Sequence, residues 1–195
     1  MYSKMEFFRR HNMPRIVQQR IPKQAIEALK KTGIEFKKFD SASSFEKELL
    51  KFMKRNHVLH LSTCRGNTPR STPLEYRSDG LTFLILSEGG GKFANLKENN
   101  KVALSIAEPY NSEDDYWAFK GLQAWGTAKI HSRKNNPEQF NNALKKMRIG
   151  KILKNLGIKE LPAGINFKII EIKPDIIRYG NPREGIYWVK WHRKG

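Results

Sequence analysis

Two short stretches of this sequence carry residue types that could hold a phosphorylated ligand. The first is Ser87-Glu88-Gly89-Gly90-Gly91-Lys92. Three consecutive glycines let the backbone approach a ligand closely and turn its amides toward it. Lys92 follows where the sequence begins to read as a helix, and there the unpaired amides and the helix dipole already favour an anion. The spacing is not a Walker A loop, because position 86 is Leu86 rather than glycine and Lys92 precedes Phe93 rather than Ser or Thr. No G-x-G-x-x-G spacing is present either. The second stretch is Arg70-Ser71-Thr72-Pro73-Leu74-Glu75. Arg70 could grip a phosphate through two parallel hydrogen bonds. Pro73 inside a strand marks an edge or bulge, which leaves main-chain groups for other partners. Each stretch alone also has an ordinary structural reading: a flexible loop with a solvated lysine, and an arginine on a strand surface.

Other chemistry-bearing residues form weaker patterns. His11, His57, His60, His131 and His192 show neither the H-E-x-x-H nor a Cys/His zinc spacing. His57 and His60 are expected in the wall of a sheet. Cys64 is the only cysteine, so an intrachain disulfide is impossible and a cytoplasmic setting is the default expectation. Cys64 itself reads as a small buried strand residue. Asp114 and Asp115 read as a solvated loop, and no Ser-His-Asp set can be assembled.

The elements that must position the two stretches follow from periodicity and turn chemistry. Lys23 to Thr32 reads as a short helix stopped by Gly33. Ser43 and Glu46 read as a capping box that opens a helix. Phe45, Leu49, Phe52 and Met53 follow along that helix as one apolar stripe. Val58 to Cys64 is apolar enough for a strand buried on much of both faces. Turns at Arg65-Gly66-Asn67 and Ser78-Asp79-Gly80 separate it from strands at 68–77 and 81–86. A helix is expected over 92–99 and a strand over 102–107. Tyr116 to Ile130 contains Gly121 and Gly126, as barrel corners often do. Asn136-Pro137 opens a helix carrying Phe140, Leu144 and Met147, and a second short one ends at Leu156-Gly157. Late strands are expected at 165–172 and 175–179, broken by Pro174, and a last one at 186–191. Many short antiparallel strands with a few helices predict a mainly β fold: a closed or nearly closed β-barrel with peripheral α-helices.

The chain has 195 residues and a formal net charge of +18, unevenly spread. Residues 1–38 carry 10 basic and 3 acidic side chains, residues 39–132 carry 12 and 11, and residues 133–195 carry 15 and 5. The near-neutral middle argues against a nucleic-acid protein, which would place its basic stripe on the recognition element. No apolar run approaches the length of a membrane span, and the N-terminus lacks the apolar core of a secretory signal. The expected organisation is a basic arm with a short helix over 1–40, a barrel domain over 41–180, and a basic tail over 181–195.

Taken in order, these features carry a resemblance. A helix is followed by an apolar strand and by G-x-x-P-R-S-T-P on the next strand. A further strand ends in Ser87, G-G-K-x-x-N-L opens a helix, and another strand follows Asn99-Asn100-Lys101. This resembles the FMN-binding split-barrel family related to pyridoxamine 5'-phosphate oxidase, over about residues 44–131 and more loosely 165–180. The resemblance implies an antiparallel split barrel that binds FMN at a homodimer interface. It implies flavin contacts from Arg70, Ser71, Thr72, Pro73, Leu74 and Glu75. Ile85, Leu86 and Ser87 would flank the cofactor, and Gly91 and Lys92 would meet its phosphate. Gln123, with Trp125, Trp188 or Trp191, would be the contribution of the second subunit. The family's second phosphate cation is replaced here by Gly91, and its substrate-phosphate lysine by Glu75. The resemblance therefore implies an FMN-dependent oxidoreductase whose substrate is not a vitamin B6 phosphate, with a small electron donor or acceptor such as NAD(P)H. Two alternatives remain open at this point. One is a non-enzymatic flavin- or haem-binding protein, with His192 as a faint haem-ligand hint. The other, less favoured, is a basic nucleic-acid-associated protein.

Overall fold

The structure is a computed structural model that describes residues 13–194. The start of the basic arm, including His11, lies outside the described residues. In chain order the elements are β1 (Arg15–Val17), α1 (Lys23–Lys31), α2 (Ala42–Arg55), β2 (Val58–Arg65), β3 (Thr68–Glu75), β4 (Arg77–Asp79) and β5 (Thr82–Ser87). Then come α3 (Gly91–Glu98), β6 (Lys101–Ala107), β7 (Gly121–Ser132), α4 (Pro137–Lys146), α5 (Ile149–Asn155), β8 (Lys168–Asn181) and β9 (Ile186–His192). The strands hydrogen-bond in the order β1-β9-β8-β7-β6-β2-β3, and β5 pairs with both β4 and β8. The assigned pairs are antiparallel. This is the mixed β/α arrangement of an antiparallel split barrel. Among the described residues no helix is long and apolar enough to cross a membrane.

The chain divides into two compact units, and α2, β6, β7 and β8 each pass from one to the other. One unit contains residues through 52, 105–125 and 174 onward. Its core forms where the α2 stripe meets β8: the Phe45 and Phe52 rings lie 6.4 and 5.0 Å from Tyr179. Phe45 and Leu49 are fully buried, and each such side chain contributes roughly 1.5–3 kcal/mol. Trp191 belongs to this core and donates from Nε1 to Glu46 Oε1 at 2.6 Å. Glu46 is therefore not part of a capping box. The reciprocal cap lies two residues earlier, with Ser41 Oγ accepting from Ser44 N at 3.1 Å and Ser44 Oγ from Ser41 N at 3.4 Å. Serine repeats at 41, 43 and 44, so spacing alone could not fix which one starts the helix.

The other unit contains residues 53–104 and 126–173. Here β5 is buried on both faces. Phe83 and Ile85 oppose Ile172 and Ile170 in register, and Leu84 and Ile169 turn the other way, into a cluster with Phe140, Ala143, Met147 and Ile149 of the α4 and α5 region. Strand β2 differs from expectation: Leu59, Leu61 and Thr63 are buried, while Val58, His60 and Ser62 are exposed. His60 thus lies on the outer face of its strand, and His57 just before the strand is exposed as well. Cys64 is half-exposed rather than buried.

Pro174 does not break a strand. Strand β8 is continuous from Lys168 to Asn181. Its register with β5 covers residues 168–172 and its register with β9 begins at 176, so the missing proline N–H falls between the two paired stretches. Asn136 and Pro137 do open α4, but the Asn136 side chain makes no capping bond. Asp115 is not simply solvated. It accepts from Trp117 N at 2.9 Å and forms an ion pair with Arg183.

Candidate functional site

Strand alternation divides the 70–75 stretch. Thr63, Leu61 and Leu59 of β2 stand opposite Arg70, Thr72 and Leu74 of β3. Directly opposed residues share a face, so these three project on the buried side of β2. Ser71, Pro73 and Glu75 share the outer face with Ser62, His60 and Val58. Helix α3 is fastened to the inner side by Asn95, whose Nδ2 donates to Thr63 Oγ1 at 3.0 Å between two buried side chains. That bond brings the first turn of α3 to Arg70. A Cβ built on Gly91 would lie 3.2 Å from Arg70 Nη1, so the absence of a side chain at position 91 leaves room for the guanidinium. Gly90 has φ +102°, a conformation that favours glycine.

Lys92 is the unusual residue here. It is only 6% exposed. Its ammonium donates to the Gly89 carbonyl and lies 5.0 Å from the Phe93 ring centroid. Burial, and then the charge of Arg70, hold its pKa below the ordinary lysine value. Neither Lys92 nor Arg70 has a carboxylate ion-pair partner among the described residues. Two cations held together without an anion form a place where an anion would be stabilised. Thr72 adds a third group: its Oγ1 is buried without a hydrogen-bond partner among the described residues.

The remaining expected residues fall into two sets. Ser87 is half-buried at the end of β5 and stands opposite Lys168 in register, so their side chains share a face. Lys168 in turn places its ammonium 4.8 Å from the Phe93 ring. Phe93 therefore carries two lysine ammoniums, and Lys168 is a cation of this region that sequence reasoning missed. Ile85 is fully buried in the core, and Leu86 packs toward α4 and α5. Glu75 is exposed and pairs with Arg77 at 2.8 Å.

Gln123 lies on β7 in the other unit, half-buried, with Oε1 buried and unpartnered among the described residues. Trp125 is 41% exposed. Trp188, at φ +46°, is held between Phe119 (5.2 Å) and the Arg178 guanidinium (4.3 Å). Trp191 is committed to the core, as described above.

Against this geometry, the sequence model of pyridoxamine 5'-phosphate oxidase matches residues 45–180. The chain belongs to that family. The match runs from within α2 into the end of β8 and includes both phosphate-type stretches, and the family relation supports a flavin cofactor in general terms. The fold is shared with several solved structures. A Listeria innocua protein described as a pyridoxamine 5'-phosphate oxidase is 22% identical, with a TM-score of 0.54 over 70% of this chain and 98% of that one. An FAD-binding protein from Mesorhizobium loti is 14% identical, with a TM-score of 0.51 over 74% and 93%. The haem storage protein from Vibrio cholerae is 19% identical, with a TM-score of 0.51 over 66% and 89%. No curated protein matches the sequence.

Proposed function

We propose that this chain is an FMN-dependent oxidoreductase that acts as a homodimer, with residues 41–180 as the flavin-binding domain. The observation that carries the proposal is the buried Lys92 beside Arg70, two cations with no carboxylate partner among the described residues. A phosphate would satisfy both, and would return Lys92 toward its ordinary protonation. The fit extends to the glycines, since a side chain at position 91 would press on Arg70, and to the unpartnered Thr72 hydroxyl. Riboflavin phosphate meets these demands, and membership of a flavin-binding family selects it over other phosphates.

In this reading Arg70 and Lys92 hold the phosphate, Thr72 supplies a hydroxyl to the cofactor, and Ser87 and Lys168 border the anion. Leu74 forms an apolar wall. Gln123 of a second copy offers its unpartnered carbonyl oxygen to a polar edge of the ring. The bound flavin supplies the redox chemistry, and the protein supplies binding, orientation and electrostatics. No side chain is assigned as acid or base. Glu75, paired with Arg77, leaves the substrate side without net positive charge, which disfavours a phosphorylated substrate there.

The test is to load the purified protein with FMN, record its visible spectrum, and add NADPH or NADH without oxygen. Retained flavin absorbance that bleaches with the nucleotide supports the proposal. A protein that takes up haem and refuses flavin overturns it.

A further inference from the structure

Two cavities adjoin on the α5 side of β4, both built from residues of one unit, and their chemistries differ. The smaller measures 210 Å³ and is lined by Leu86, Met147, Ile149, Ile152 and Leu153, with Glu75 and Arg77 among its few polar residues. It exceeds the roughly 150 Å³ apolar cavity known to accept a benzene ring. The Glu75–Arg77 ion pair makes its polar side neutral overall, so the ring that suits it is uncharged. The larger cavity measures 730 Å³, well inside the usual range for bound ligands of about 300–1,000 Å³. Lys54, His57, Lys146, Arg148 and Lys151 line it against a single carboxylate, Asp79, which Lys146 already occupies at 2.6 Å. Tyr76, Arg77, Met147 and Ile152 line both cavities.

Arg148 adds an independent observation. Its φ is +55°, so an arginine stands where glycine would be less strained. The chain tolerates that cost at a position whose side chain joins the basic wall.

We propose that the two cavities form one site for a phosphorylated pyridine dinucleotide. Its uncharged reduced ring enters the apolar cavity, and its phosphates lie among Lys54, Arg148 and Lys151. The ring end is bordered by Glu75 and Leu86, which adjoin Leu74 and Ser87 in the candidate flavin stretches but turn their own side chains to the opposite face. The choice of a hydride-donating dinucleotide rests on the flavin reading, whereas the combination of ring and polyanion rests on the cavities alone.

The test is calorimetric titration of NADPH into the full chain, with and without FMN. Reversing two charges in Lys54→Glu/Lys151→Glu should weaken binding on the order of tenfold or more, since each reversal exchanges attraction for repulsion. Arg148→Gly should weaken binding severalfold without lowering the melting temperature, because glycine accepts the left-handed backbone. Lys129→Glu, a single reversal on exposed β7 surface, should leave binding unchanged. Equal NADPH affinity in the wild type and the double reversal overturns the assignment, as does an equal loss in Lys129→Glu. If FMN fails to load while NADPH binds with the predicted pattern, the flavin reading falls and the cavity assignment stands. If FMN loads and NADPH does not bind, the cavity assignment alone falls.

Discussion

Replacing Lys92 with methionine should make the ligand-free protein more stable and its flavin binding worse. Methionine keeps the unbranched shape of the side chain, one heavy atom shorter, and removes the charge. In the folded protein Lys92 as a residue is only 6% exposed, and desolvating a buried ion is unfavourable. Its bond to the Gly89 carbonyl recovers roughly 1.5–3 kcal/mol, and its contact with Phe93 about 0.5–1 kcal/mol. Its pKa is lowered from 10.5 by burial and by Arg70, so the site on balance disfavours the charge. The variant should therefore be more stable than the wild type, read as a higher Tm. The pH dependence carries a second signature. A lysine with a lowered folded pKa binds fewer protons in the folded than in the unfolded state as pH approaches 10.5. Wild-type stability should therefore rise through that alkaline window, and the Met variant should lack the rise. Flavin affinity should fall by the worth of one charge-assisted bond, about 1.5–3 kcal/mol, or roughly 10- to 150-fold. Urea melts across pH 7–10 and FMN titrations of both proteins read all three effects. A variant that is less stable than wild type, or that binds FMN equally well, would refute the assignment of Lys92 to an anion.

Two further changes test the scaffold. Burial works to raise the Glu171 pKa, but hydrogen bonds from His131 (2.8 Å) and Lys173 (3.2 Å) outweigh it, so the pKa lies below its ordinary value of 4.5. That contribution is complete above the unfolded value and is lost as pH falls through the lowered folded one, so Glu171→Gln should flatten the stability curve as pH falls below 4.5; urea melts that keep the wild-type slope would count against it. A Cβ at Gly185, where φ is +70°, would lie 1.8 Å from the Glu35 carbonyl oxygen, and the Gly185 carbonyl accepts from Lys37 N at 3.0 Å. Gly185→Ala should therefore cost about 2 kcal/mol or more and lower Tm by several degrees; an unchanged melt would contradict the packing of the 35–37 segment on this turn.

The sequence was most readable where periodicity and turn chemistry agreed. The α2 stripe, the Asp79-Gly80 turn and the strand order around the glycine loop all follow from local patterns. Local patterns could not separate the inner from the outer face of β3, since Arg70 to Glu75 has no apolar alternation; only the register with Leu59, Leu61 and Thr63 divides it. Pro174 misled because a proline is tolerated inside a strand where pairing changes hands, and that change depends on β5 and β9, both distant in sequence. Lys168 was invisible for the same reason, since its link to Phe93 and Ser87 exists only across the sheet. Trp191 gave no signal of its own. Its bond to Glu46 joins the last strand to the first turns of α2, and the capping-box reading had assigned that glutamate elsewhere.

The central claim is that Arg70 and Lys92 hold the phosphate of a flavin. Comparing FMN with riboflavin by calorimetry on the purified full chain tests it most directly, because the two ligands differ only in that phosphate. We predict that riboflavin binds at least tenfold more weakly, the loss of about one charge-assisted pair, and that Arg70→Ala/Lys92→Met removes most of the difference. Equal affinities for the two ligands, or a difference that survives in the double variant, would contradict the account.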